Sequence, residues 1–127
     1  MMKAKDMLSL KNWAVVGATP NQDSFGYKIF KTLQDNNYNV YAVSPKYDEI
    51  DGVKTYKSLK DLPEKVDVVD FVVNPQIGMS VLDEVIEVGI ENIFLQPGTR
   101  GPDIIQKAAE NKINVVLSCV LVELGAH

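Results

Sequence analysis

Residues 13–26 read WAVVGATPNQDSFG. An uncharged run, Trp13–Val16, ends in Gly17. A loop of small and polar residues follows, and then Phe25, Ile29, Phe30 and Leu33 recur at the spacing of one face of a helix. A strand that is apolar along its whole length is one covered on both faces, which is the habit of parallel sheets. The segment therefore predicts a buried strand, a glycine turn and a crossover helix. Asn36 and Asn37 suit the left-handed exit of that helix.

The pattern repeats outward from this unit. NVYAVS (39–44) is the second strand, VDVVDFVVN (66–74) the third, NIFLQ (92–96) the fourth and NVVLS (114–118) the fifth. Ile77, Val81, Leu82, Val85 and Ile86 form an apolar helical stripe that closes at Gly89. Gly101-Pro102 opens another helix, with Ile104, Ile105, Ala108 and Ala109 facing the sheet. A helical segment precedes residue 13. Between Pro45 and Lys65 the pattern weakens: EIDGVKTY offers a short hairpin or edge extension around Asp51-Gly52, and SLKDLP a single helical turn capped by Ser58. Strand and helix alternating in this way predict one Rossmann-like α/β domain over residues 1–127. Its open parallel sheet of about five strands, in order 3-2-1-4-5, has helices on both faces.

The bulk properties bound the function. Of 127 residues 46% are hydrophobic, and 17 acidic residues against 13 basic ones give a net charge of −4. That balance excludes a nucleic-acid partner, which requires a basic face. One cysteine, Cys119, permits no internal disulfide. The N-terminal stretch carries no signal-peptide pattern and no run approaches a membrane span, so a soluble, cytoplasmic protein without membrane contact is expected.

In a sheet of this kind ligands bind beyond the carboxyl ends of the strands, where the strand order reverses. After the first strand stands Gly17-Ala18-Thr19, a turn that lets backbone approach an anion at the following helix, with Thr19 and Ser24 as hydroxyl donors. It is not the GxGxxG pattern. After the second strand comes Ser44-Pro45-Lys46 instead of the acid that commonly holds the ribose of NAD; a hydroxyl and a cation suit a phosphorylated ribose, as in NADP or coenzyme A. Val73-Asn74-Pro75 and Gln96-Pro97-Gly98 end the third and fourth strands with rigid turns fit to wall a flat or slender ligand. Arg100 reads as solvent-exposed. Cys119 follows the fifth strand, where a buried apolar cysteine and a thiol on the ligand-facing edge are both open. Asp67 and Asp70 read as the start and outward edge of the third strand. The only histidine is His127, the last residue, and no metal-ligand spacing, Cys/His pair or nucleophile elbow is present. The chain specifies a pocket better than a reaction.

VVGAT at the first turn, VYAVSPK at the second, YKSLKDLPEKVDVVDFVV through the third strand, ENIFLQPGT at the fourth, and Cys119 before Val122-Glu123 together resemble the small stand-alone CoA-binding proteins of bacteria and archaea. That family is similar to the nucleotide-binding domain of the succinyl-CoA synthetase α subunit. The likeness covers roughly residues 10–124. It implies a coenzyme A site in which Gly17, Ala18 and Thr19 hold phosphate, and Ser44, Pro45 and Lys46 meet the adenosine-phosphate end. Val73, Asn74, Pro75, Gln96, Pro97 and Gly98 would line the pocket, with Cys119 beside it. Two positions depart from the family pattern: Ser118 where a basic residue is usual, and Phe94 where tryptophan is usual. The synthetase reaction is not implied, since it needs a phosphohistidine domain and a nucleotide-binding partner, and His127 matches no such motif. The expected function is non-catalytic binding of coenzyme A or an acyl-CoA, as a sensor or carrier. The competing expectation is an NAD(P)-binding enzyme or redox sensor on the same fold.

Overall fold

Strand β1 (Asn12–Val16) shows why the uncharged runs become the centre of the sheet. Its successive side chains alternate between two separate cores, with Ala14 and Val16 on one face and Trp13 and Val15 on the other. A computed structural model, which describes residues 3–124, carries the same alternation through the neighbouring strands.

In chain order the elements are α1 (Ala4–Met7), β1, α2 (Phe25–Asp35), β2 (Asn39–Val43), β3 (Glu49–Ile50), β4 (Val53–Tyr56), a 3₁₀ turn at Leu59–Asp61, β5 (Val68–Phe71), α3 (Pro75–Val88), β6 (Asn92–Leu95), α4 (Pro102–Glu110), β7 (Asn114–Leu117) and α5 (Val120–Glu123). Helices α3 and α4 cover the core of Ala14, Val69, Phe71, Ile93 and Leu95 with Val81, Leu82, Val85, Ile104 and Ala108. Ile29, Phe30 and Leu33 of α2, with Met7 and Val120, cover the opposite core around Trp13, Val68 and Phe94. Phe94 is fully buried with its ring 5.4 Å from that of Trp13, so this family-variable position belongs to the core. Asn37 takes φ 68° at the end of α2, the left-handed exit expected there.

The sheet has seven strands in the order β3-β4-β2-β1-β5-β6-β7, and every pairing is parallel except β3 with β4. The α/β class and the covering on both faces are as expected, but the run at 66–74 does not lie outside the second strand. As β5 it pairs directly with β1, Trp13 opposite Val68 and Val16 opposite Phe71. The place beside β2 is taken by β4, from the weakly patterned segment, with Ala42 opposite Thr55 and Val43 opposite Tyr56. Asp51 and Gly52, at φ 50° and 82°, turn the chain from β3 into β4 as a tight hairpin. Counting parallel strands alone, the order is 3-2-1-4-5-6. The reversal falls between β1 and β5, and the site is built there.

Candidate ligand-binding site

Two cavities open at the carboxyl edge of the sheet and meet at Val73. The larger, about 560 Å³, lies over the ends of β1 and β2 against the first turns of α3. Gly17 forms its floor at φ 101°, with its backbone so close to β5 that a Cβ would stand 2.2 Å from the Val72 carbonyl oxygen. Gly26 is packed just as tightly against the Gly17 carbonyl, which fixes the first turn of α2 over the end of β1. Ser24 caps that helix: its hydroxyl donates to the Asn21 carbonyl at 2.8 Å and accepts the Tyr27 amide at 3.4 Å. The amides of Phe25 and Gly26 have no helical acceptor by position; Phe25 belongs to the smaller of the two cavities, and Gly26 is buried.

The other wall of this cavity is the loop after β2. Ser44 is buried and accepts the Lys46 amide on its hydroxyl at 3.2 Å, a local turn that sets where the exposed lysine begins. Lys57, from the end of β4, donates to the carbonyls of Pro45 and Tyr47 at 3.4 Å and to Asp48 at 3.1 Å. It thereby ties the loop to the end of β4. On the far side Glu84 of α3 accepts the Ser58 hydroxyl at 2.5 Å and the Leu59 amide at 3.1 Å, holding the 3₁₀ turn against the helix. The cavity is thus lined by Lys46 and Lys57, by hydroxyls such as those of Thr19, Ser24 and Ser44, and by the Glu84 carboxylate, set among apolar residues such as Val43, Ile77 and Val81.

The smaller cavity, about 310 Å³, is formed by Phe25 and Ile29 of α2 and by the ends of β5, β6 and β7. No charged side chain lines it. Asn74 caps α3 by accepting the Ile77 amide at 2.8 Å. Thr99, 1% exposed, bridges the strands: its hydroxyl faces the carbonyls of Phe71 and Val73 and accepts the Val73 amide at 3.2 Å. Cys119 stands half-buried at the cap of α5 and lines the cavity, which settles it as neither a core cysteine nor a fully open thiol.

Behind this wall Gln96 joins two elements. Its side-chain amide donates to Asp70 Oδ1 at 2.7 Å, and its carbonyl accepts the Val120 amide of α5 at 3.3 Å. Asp70 is fully buried in the centre of β5, not at an outward edge, and its Oδ2 has no partner among the described residues. Desolvation pushes its carboxyl up to about 8, against the weaker opposing pull of the Gln96 hydrogen bond. At neutral pH the group is therefore the neutral acid.

Residues 11–125 match the family described as CoA binding domain. The chain belongs to that family. It is 38% identical over 85 residues to an acetate–CoA ligase [ADP-forming] of Methanocaldococcus jannaschii, covering 67% of this chain and 12% of the ligase. To the α subunit of acetate–CoA ligase [ADP-forming] II of Pyrococcus furiosus it is 35% identical, over 65% of this chain and 18% of the subunit. The chain thus spans less than a fifth of these curated ligases. By contrast the uncharacterized protein YneT of Bacillus subtilis, 28% identical, aligns over 88% of this chain and 84% of its own. A hypothetical protein from Pyrococcus horikoshii superposes with a TM-score of 0.88 at 32% identity, covering 94% of this chain and 84% of the other.

In this CoA binding domain, every residue selected from the strand ends lines one of the two cavities except Pro75. Gly17, Ala18, Thr19, Ser44, Pro45 and Lys46 line the larger; Asn74, Gln96, Pro97, Gly98 and Cys119 line the smaller; Val73 touches both. Pro75 occupies the first position of α3 and packs against Gly101 instead. Arg100 is exposed, with Nε donating to the Leu95 carbonyl at 3.2 Å. His127 lies outside the described residues. Phe25, Ile77, Lys57, Ser58 and Glu84 also line the cavities without having been singled out as ligand contacts. Phe25 and Ile77 read as core members of their helical stripes. They are 65% and 50% exposed because the first turn of each helix projects beyond the sheet. Among the described residues no helix is long and apolar enough to cross a membrane.

Proposed function

We propose that this protein binds coenzyme A or an acyl-CoA reversibly across the carboxyl edge of the sheet, without chemistry, as a sensor or carrier. The observation that carries the reading is the pairing of two unlike cavities at Val73. One is furnished with Lys46, Lys57, Ser44 and Thr19, beside the Glu84 carboxylate, and the other is without charge. Coenzyme A has the same division, with phosphates at one end and a slender, uncharged pantetheine arm at the other. Gly17, Ala18 and Thr19 hold the diphosphate at the start of α2; Ser44, Pro45 and Lys46 meet the phosphorylated ribose; Val73, Asn74, Gln96, Pro97 and Gly98 guide the arm past Cys119. Membership of the CoA binding domain family supports the same ligand.

The position after β2 holds no acid, which disfavours NAD. Thermal melting in the presence of coenzyme A, dephospho-CoA, NAD and NADP tests the assignment. A ligand at a hundredfold excess over its Kd stabilises by about 2.7 kcal/mol. Coenzyme A should give the largest shift; equal shifts with NAD or NADP would reject it.

A further inference from the structure

We infer that the smaller cavity is an acyl pocket that selects a short aliphatic thioester over free coenzyme A and over a thioester ending in a carboxylate; this rests on the coenzyme A reading above. The phosphates of the ligand belong with Lys46 and Lys57 of the larger cavity, so the thiol end is the one directed toward the smaller. That cavity is walled by Phe25, Ile29, Val72, Val73 and Pro97, and Phe25 leaves 65% of its surface uncovered over the opening. A side chain so exposed at a cavity mouth has apolar surface still to bury, and an alkyl chain is the occupant that buries it.

Most polar groups of the wall are engaged internally, and none of them carries a charge. Gln96 is held at both ends by Asp70 and Val120. Thr99 is bonded to the end of β5, and the Asn74 carbonyl oxygen is taken by the Ile77 amide. A carboxylate entering here would lose hydration with no cation to replace it. The volume of about 310 Å³ holds about ten groups of the size of water, roughly 30 Å³ each. That accommodates the end of the pantetheine arm and an acyl chain of a few carbons.

Isothermal titration of the intact protein with CoA, acetyl-CoA, butyryl-CoA and succinyl-CoA tests the pocket. Each buried methylene should tighten binding about fourfold, the equivalent of ~0.8 kcal/mol. Butyryl-CoA, with two more methylenes, should therefore bind about 16-fold more tightly than acetyl-CoA, with succinyl-CoA weaker than either. Phe25→Ala, at an exposed site whose loss leaves both cores intact, should flatten the series while phosphate recognition persists. Phe25→Lys should favour succinyl-CoA over butyryl-CoA. CoA binding with a flat series in the wild type, or a series that survives intact in F25A, overturns the acyl pocket alone. Failure of CoA and of every thioester to bind overturns the coenzyme A reading with it.

Discussion

Gln96 donates its side-chain amide to Asp70 at 2.7 Å, with both residues sealed inside the molecule. The pair links the centre of β5 to α5 through the Val120 amide, and so backs the wall that carries Cys119. The burial that raises the carboxyl to about 8 makes stability depend on pH. In the unfolded chain the same carboxyl ionises near 3.9. Between these values the folded state binds more protons than the unfolded state. The neutral acid's contribution is thus complete below about pH 4 and is lost as pH rises through about 8.

Asp70→Asn preserves the shape and the Gln96 bond but cannot ionise. Urea melts across pH 5–9 should show wild-type stability falling by several kcal/mol with rising pH, and a much shallower slope in the variant. Asp70→Asn should be the more stable protein at pH 9. Parallel curves would show that Asp70 does not titrate in this range.

Thr99 bridges β5 and β6 next to the site. Thr99→Val keeps the shape, leaves the Val73 amide without its acceptor, and should cost about 1–3 kcal/mol, with Thr99→Ser close to wild type. At about 4 °C per kcal/mol for a chain of this length, calorimetry should resolve the loss. A melting temperature equal to wild type would mean that the bridge contributes nothing.

Gly17 combines φ 101° with a backbone contact that leaves no room for Cβ. Gly17→Ala should destabilise by about 2 kcal/mol or more, since a left-handed backbone and a collision with the Val72 carbonyl act together. Gly52→Ala is the control, with positive φ and open space around it. Chemical denaturation of the two variants should rank Gly17→Ala as clearly the worse; the reverse ranking would reject the close approach of β1 and β5 at this turn.

Lys46 stands exposed at the rim of the larger cavity. A charge-assisted bond to a phosphate is worth about 1.5–3 kcal/mol. Lys46→Ala should therefore weaken coenzyme A binding by about tenfold or more, and dephospho-CoA binding far less. Unchanged affinity for coenzyme A in titration calorimetry would return Lys46 to the solvent.

Cys119 lines the smaller cavity half-buried. Alkylation by iodoacetamide, followed by intact mass, should proceed slowly in the free protein and more slowly again with saturating coenzyme A. Equal rates with and without ligand would mean that the arm does not pass this sulfur.

Much of this molecule is legible in one dimension. The runs at 13–17, 39–44, 66–74 and 92–96 are largely apolar because their strands lie inside the sheet with both faces covered, and a local pattern of that kind survives without knowledge of neighbours; 114–118, the edge strand β7, is only partly buried. The strand ends follow from it, and with them part of the lining of both cavities, from Gly17 to Cys119. The helix start at Gly101-Pro102, the cap at Ser58 and the turn at Asp51-Gly52 are equally local, since each is set by the conformations its own residues permit.

What tertiary structure alone decided concerns pairing and environment. Whether 66–74 lies beyond β2 or beside β1 depends on β4, a short strand between β3 and β2 whose residues Val53–Tyr56 carry little hydrophobic signal. Asp70 reads as an edge residue because a carboxylate is costly to bury. It is buried because Gln96, 26 residues away, meets it and because it keeps its proton. Phe25 and Ile77 obey the helical period yet face the cavities, since the period fixes a direction around the axis and not what lies beyond the helix end. Strand, turn and helix are written into neighbouring residues by sterics and periodicity; burial, protonation and the joining of two cavities at Val73 are set by partners that only the folded chain brings together.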